Sequence, residues 1–419
     1  MKINNFNAFN GSVLRAGSDA LEPLTSPLCV RGGRFAQLDA AALPGRFEAH
    51  DLTDRVVVPG LIDAHVHLEL DPSLRTPSEQ LAVPTVLRQA SMAARAVEML
   101  ASGITTTRDC GGGFHLEHAL RDRIDGAERA GPRLLCCGRP ITTVGGHCAF
   151  WGGEVETLPD VDRVVAQEID AGSDWIKVMA TGGVFTPGSR ARDAQFDLPW
   201  MQSIVAAARR GGRAVAAHCH GTEGLANAVR AGVRTIEHAS FAGPDGFGTA
   251  LDESLMREMA QQELWVSPTI HSGWGRRIRD EQGQPTDFFQ RHSNSLRKQR
   301  DHGIRFIAST DAGIPGVAHD DLVGGLIALQ HYVGLQPVEV LRAATQEAAQ
   351  ALGVGGETGE IALGLSADFL VVEGNPLEDL GVLRDPEVVV FRGAWLDRAT
   401  RRAMVEEARR HVEEVCARS

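Results

Sequence analysis

The chain has 419 residues, 43% of them hydrophobic and 23% charged, with 42 Lys and Arg against 54 Asp and Glu and a formal net charge of −12. This composition is that of a globular protein long enough for a large domain and a smaller module. An acidic balance without a Lys/Arg-rich run argues against nucleic acid or an anionic membrane as partner. Every apolar stretch is broken by Gly, Pro, Asp or His before the ~20 residues a membrane helix needs, so no span is expected. The opening segment Met1–Asn10 is Asn-rich and lacks an apolar signal core, which predicts a cytoplasmic protein. Seven cysteines without a C-x-x-C pair fit a reducing compartment. The adjacent Cys136 and Cys137 follow Leu134 and Leu135 and read as small buried core residues.

Residues 1–55 hold short alternating segments, Leu28–Val30 and Phe35–Leu38, around the turn glycines Gly32 and Gly33; they predict a hairpin-built β module. From Leu61 a rhythm begins in which a short β-branched run, a polar or Gly break and a helical pattern repeat. The expected strands are Leu61–His67, Ile104–Asp109, Arg133–Gly138, Trp175–Ala180, Ala214–His218, Arg234–His238, Leu264–Thr269 and Ile304–Thr310. Helical periods lie between them at Val83–Leu100, His115–Ala130, Val161–Ala171, Leu198–Arg210 and Gly221–Ala231. Eight strands alternating with helices predict an α/β fold, a (β/α)8 TIM barrel over residues 56–354. A further helix is expected at Pro337–Leu352, after which glycine turns and short β runs return in GGETGEIALGLSADFLVVEGNP. Both termini, 1–55 and 355–399, are therefore expected to build one small β-sandwich, and 400–419 a helical tail with Arg401–Cys416 on its surface.

In such barrels the reacting groups sit where strand C-termini meet the following loops. Strand one ends Asp63-Ala-His65-Val-His67, and alternation turns both histidines to one face. Lys177 interrupts the apolar strand DWIKVMA, His218 ends strand five, His238 ends strand six in TIEH, and Asp311 follows strand eight in IASTD. Singly, each is an ordinary residue: a hydrogen-bonded histidine, a solvent-seeking lysine, a helix N-cap. Six at five strand ends of one barrel point to a metal site. His220, two residues after His218, is an equal choice by alternation alone. There is no G-x-S-x-G elbow for a serine nucleophile, and GGGF at 111–114 lacks the G-x-G-x-x-G spacing of a nucleotide loop.

With VVVPGLIDAHVHL, GITTTRDCGG, DWIKVMATGG, AAHCHG, TIEHAS and STDAG in place, the chain resembles the amidohydrolase superfamily of metal-dependent hydrolases over nearly its whole length. Lys177 and the segment TTVGGH make it most similar to the branch of prolidase-type (Xaa-Pro) dipeptidases and related amide hydrolases. The resemblance implies two divalent ions, usually zinc, with Mn, Co or Ni suited to the same N/O ligands. His65, His67 and Asp311 would hold the more buried ion, His218 and His238 the other, and an N-carboxylated Lys177 would bridge them. His220 is then substrate-facing. Hydroxide held between two ions would attack the carbonyl, with Asp311 moving the proton to the leaving nitrogen. His147, in TTVGGH, is placed to donate to the substrate carbonyl. Trp151, Phe185 and His271, with Arg190, Arg192 and Trp274 in the same loops, would shape a pocket for a small molecule.

The expected reaction is cleavage of a C–N amide bond in an N-acyl amino acid, a dipeptide, or an aryl amide or carbamate. A phosphotriesterase or lactonase would use the same site, and a superfamily deaminase is the other alternative, against which Lys177 speaks. A scaffold that lost catalysis would have lost ligands. Tyr332 is the single tyrosine and falls in a helical pattern, so no tyrosine near strands six and seven is available to hold a substrate carboxylate. Relatives commonly assemble as homo-oligomers, and one is expected here.

Overall fold

The computed structural model describes residues 5–15, 17–37 and 48–418. A six-stranded sheet is assembled from both ends of the chain, in the order Ala394–Asp397, Val388–Phe391, Phe369–Glu373, Arg55–Pro59, Ser12–Leu14, Leu21–Pro23. Its central pairing is antiparallel, from Phe369 opposite Pro59 to Glu373 opposite Arg55. A second sheet of four strands runs Arg34–Ala36, Leu28–Arg31, Phe6–Phe9, Glu48–Asp51. Alternation sends Phe6 and Ala8 inward, where they meet Val30, Phe35, Val57, Phe369, Val371 and Val390 in one apolar core. The strand expected at Phe35–Leu38 is Arg34–Ala36, and Leu38 lies outside the described residues.

Between these terminal strands, three parallel strands (Leu61–Val66, Ile104–Asp109, Arg133–Cys136) and five more (Trp175–Met179, Ala214–Gly221, Thr235–Ala242, Trp265–Ser267, Arg305–Phe306) alternate with helices. They are numbered one to eight below. Backbone hydrogen bonds join the two groups on both sides. Asp174 N donates to Cys136 O (2.8 Å) and Ile141 N to Lys177 O (2.8 Å); Ala64 N donates to Ala308 O (3.0 Å) and Asp311 N to His65 O (2.9 Å). Strand eight is shorter than the expected Ile304–Thr310. The Asp63 carboxylate takes both the Thr310 N–H (3.1 Å) and the Thr310 hydroxyl (2.5 Å), which removes that residue from a regular ladder. Strands five and six run on past the expected His218 and His238, with a register shift between Cys219 and Gly221.

The helices follow their capping and period. Leu198–Arg210 begins at Asp197, whose side chain accepts from Trp200 N, and buries Met201, Ile204, Val205 and Ala208 on one face. The stretch expected as one helix at Pro337–Leu352 is two, Pro337–Ala343 and Gln346–Leu352. Thr345 breaks it: its backbone leaves the helical region and its hydroxyl donates to Leu341 O (2.7 Å). The last helix, Arg398–Arg418, lies against Thr85–Ala101, held by buried Arg401 donating to the carbonyls of Ala101 and Pro386. Among the described residues, no helix is long and apolar enough to cross a membrane. Cys136 and Cys137 are fully buried, as their leucine neighbours predict.

Candidate active site

Eleven of the residues singled out in the sequence line one cavity of about 430 Å³ at the C-terminal ends of the parallel strands: His65, His67, His147, Trp151, Lys177, Phe185, His218, His220, His238, His271 and Asp311. Arg190 and Arg192 do not; both pair with Asp193 (2.6 and 3.7 Å). Trp274 does, together with Phe247 and Phe288, which the sequence did not single out.

The hydrogen bonds on the outer side of each ring fix which nitrogen is left facing the cavity. His67 Nδ1 lies 2.7 Å from Gly111 O, an acceptor, so this nitrogen carries the proton and Nε2 presents its lone pair. His65 Nδ1 donates in the same way to Glu237 Oε2 at 2.8 Å. His218 Nε2 donates to Gly182 O at 3.1 Å, leaving Nδ1 as the lone pair. His238 Nδ1 meets Thr269 Oγ1 at 2.7 Å; that hydroxyl has given its only hydrogen to Pro268 O at 2.8 Å, so it accepts and His238 Nε2 is bare. In the tautomer in which His238 Nδ1 donates to Thr269, His218 Nδ1 and His238 Nε2 face each other at 2.9 Å as two acceptors. On the other side, Asp311 Oδ1 stands 3.4 Å from both His65 Nε2 and His67 Nε2, longer than a charge-assisted hydrogen bond.

Burial sets the charge state of His218, His238, His220 and His147; at His65 burial is outweighed by Cys110 and Asp311, which raise that ring to about 9. Desolvation, reinforced by neighbouring imidazoles, holds His218 and His238 well below the usual histidine range, and lowers His220 to about 3 and His147 to about 4. Neutral imidazole is the form that ligates a cation. Burial raises the Asp311 carboxyl, but His65, His67 and Lys177 outweigh it and keep Asp311 ionised, below the usual carboxylate range. Lys177 is 1% exposed, its Nζ 3.3 Å from His65 Nε2, and among the described residues it forms no ion pair with a carboxylate. The backbone is left-handed at His238 (φ 69°), Thr269 (φ 53°) and Asp311 (φ 62°). Strain of about 1–3 kcal/mol at each such residue is typical of functional sites.

His220 stacks between His238 (4.4 Å, 21°) and Phe247 (4.8 Å, 16°), with Nδ1 2.9 Å from Ser240 Oγ. Its ligand atoms also fall in one group with those of His218 and His238. His147 reaches in from its loop, Nδ1 3.0 Å from Thr186 Oγ1, its ring 4.7 Å from that of His218. Gly183 makes room for it, since a Cβ there would stand 2.3 Å from His147 Nε2.

Two charged residues escaped the sequence reading. Glu237 and Arg108 are fully buried and joined at 2.7 Å, and Glu237 is what orients His65. Strict alternation sets Glu237 and His238 on opposite faces, but the positive φ at His238 turns that ring back into the cavity. The available signal was Arg108 and Glu237 themselves, two charges inside the short β runs ITTTRD and TIEH.

The fold and the cavity, taken with the family and relatives that follow, define a hydrolase acting on carbon–nitrogen bonds. Residues 56–396 match the model of the amidohydrolase family, and the chain belongs to that family. Ochratoxinase of Aspergillus niger is 26% identical over 374 residues, spanning 81% of this chain and 75% of that one. A Xaa-Pro dipeptidase with bound methionine superposes with TM-score 0.82 at 26% identity, covering 94% of this chain and 100% of that one. A prolidase complexed with N-methylphosphonate-L-proline gives 0.81 at 27% identity, again over 94% and 100%.

Proposed function

We propose that this chain hydrolyses a C–N amide bond of a small molecule with two divalent ions, zinc first among them, in a closed (β/α)8 barrel at residues 56–354. The hydrogen bonds joining the two strand groups on both sides support closure, and the mixed terminal sheets support a discontinuous β-sandwich of 1–55 and 355–399. One observation carries the metal reading: two neutral imidazoles present lone pairs to each other at 2.9 Å, an arrangement that repels unless a cation lies against both. The donor set suits the metals named, with neutral imidazole nitrogens and a carboxylate oxygen. His65, His67 and Asp311 would hold one ion and His218 and His238 the other. Lys177 would touch both after carboxylation of Nζ, which also relieves the cost of burying a bare ammonium.

When bound, the ions supply hydroxide at neutral pH and polarise the scissile carbonyl. Asp311, kept ionised, takes the proton of the attacking water and passes it to the departing nitrogen. Glu237, locked by Arg108, keeps His65 in the tautomer whose Nε2 faces the cavity. His147 donates through its cavity-facing nitrogen to the carbonyl oxygen as charge develops there.

The similarity to ochratoxinase and to a Xaa-Pro dipeptidase supports a search for the substrate among N-acyl amino acids, dipeptides and aryl amides or carbamates. The test is metal content by elemental analysis on protein purified without chelator, paired with hydrolysis of that panel. About two ions per chain with amide cleavage is the expected result. One ion or none, with ammonia released from a heterocycle, would overturn it in favour of a deaminase, and ester-only cleavage in favour of a lactonase.

A further inference from the structure

Two thiols lie together beside His65. Cys136 pairs in register with Asp109, so the next residues along these parallel strands, Cys137 and Cys110, stand side by side, and Cys137 N donates to Asp109 O (3.0 Å). Both are free cysteines, fully buried in one apolar cluster with Ile62, Ala64 and Trp175, and their thiols hydrogen-bond to each other. Neither lines the strand-end cavity. The Cys110 sulfur, a ring nitrogen of His65 and a carboxylate oxygen of Glu237 all fall within 4.8 Å of one another. We propose that Cys110, Cys137 and His65 Nδ1 form a separate site for one thiophilic divalent ion, of the class of Cd2+ and Hg2+, and that filling it opposes the ion assigned to His65 Nε2.

Strand spacing favours an ion over a disulfide here. Neighbouring strands run about 4.8 Å apart, wider than the ~3.8 Å between Cβ atoms that a disulfide prefers. Two thiolates on one tetrahedral ion, each at about 2.3 Å as for zinc, stand roughly 3.8 Å apart, so an ion bridges this register with less distortion than a sulfur–sulfur bond. Donor type separates the site from the cavity: thiolate sulfur selects soft ions, whereas imidazole with carboxylate suits the metals named above. Glu237 is already paired with Arg108 at 2.7 Å, which leaves the two thiolates to balance one divalent ion, their protons passing to water. His65 couples the two places. Its Nδ1 hydrogen goes to Glu237 at 2.8 Å while Nε2 faces the cavity. Coordination through Nδ1 moves that hydrogen to Nε2, and a nitrogen that carries a hydrogen has no lone pair for a second ion.

The test adds Cd2+ to the metal-loaded protein and follows the ultraviolet thiolate-to-cadmium charge-transfer band, which histidine and carboxylate ligands do not give. The band should saturate at one equivalent. Amide hydrolysis should fall in step by about 10- to 100-fold, the loss typical when the hydrogen-bond partner of a metal ligand is removed, and dithiothreitol should reverse both. Cys110→Ser and Cys137→Ser should lose the band, as should Cys110→Ala and Cys137→Ala, which add no buried hydroxyl. Cys148→Ser, at the cavity lining, and Cys416→Ser, on the surface, should keep it. A band that survives in the Cys110 or Cys137 variants, or vanishes in Cys148→Ser, would overturn the site. Inhibition without a band would mean exchange at the histidine ions and overturn it equally, and a band with hydrolysis unchanged would overturn the antagonism through His65. The band is read without turnover, so failure of the amide-hydrolase reading leaves this test intact.

Discussion

The core of the small terminal module and the mouth of the parallel strands are equally dry and chemically opposite. In the module, Phe6 and Phe35 both pack on Phe369, at 6.3 and 5.8 Å between centroids, among valines, alanines and leucine. At the mouth, Arg108, Glu237, His65 and Lys177 are each at most 1% exposed. Apolar burial stabilises by roughly 25 cal/mol per Å². Burying charges costs several kcal/mol per ion and only breaks even when every partner is in place. The module thus holds itself together, whereas the mouth is a local expense of stability that the proposed ions and reaction would account for. Substitutions in the two regions should therefore separate stability from turnover.

The largest separation is expected at Asp311. Asp311→Asn keeps the size of the side chain and removes the proton acceptor, so turnover should fall by about 10²- to 10⁴-fold with melting temperature nearly unchanged. Steady-state rates near those of the wild type would remove Asp311 from proton transfer. On the proposed two-ion site, Lys177→Ala should cost metal as well as rate, and short carboxylic acids should restore part of the activity by filling the place of the proposed carboxylated lysine. Two ions per chain in Lys177→Ala by elemental analysis would exclude it from the site. Glu237→Gln tests the mouth from the stability side: it leaves Arg108 buried without its counter-charge and should cost about 3–5 kcal/mol in urea unfolding. Phe369→Ala should lose a similar 3–5 kcal/mol by opening a cavity in the module core. It should do so with metal content and kcat of the remaining folded protein intact, the reverse of Asp311→Asn.

The sequence made the mouth legible where function writes onto strand ends. The pairs His65 and His67, then Lys177, His218, His238 and Asp311, are polar residues at positions where a buried strand wants apolar ones, and all of them line one cavity. What stayed hidden depends on backbone geometry rather than residue type. The carbonyls of Gly111 and Gly182 that set two tautomers carry no sequence signal, and His238 is turned into the cavity beside inward-facing Glu237 only by its own left-handed backbone. The same limit appears in the elements. Thr345 looks like any residue of a helical period, yet its hydroxyl bond to Leu341 O splits the helix, and the capture of Thr310 by Asp63 shortens strand eight.

A smaller and pH-dependent effect is expected at the opposite end of the strands. Glu347 lies in the first turn of the helix Gln346–Leu352, where a carboxylate is ordinarily favoured by the helix dipole. Burial nonetheless raises its carboxyl from the ordinary 4.5 to about 7, only partly opposed by Arg342 and Arg305 and aided by Glu339. Between those two values the folded chain holds a proton that the unfolded chain has released, so the stability associated with this group is present below the lower value and is lost as pH rises through the upper one. Glu347→Gln cannot ionise. It should match the wild type in urea unfolding at pH ~4 and exceed it by roughly 1–3 kcal/mol at pH ~8. Loss of metal from the histidine site at low pH acts on both chains alike and cancels in the difference. An equal gain at both pH values would mean that packing, not ionisation, distinguishes the two side chains.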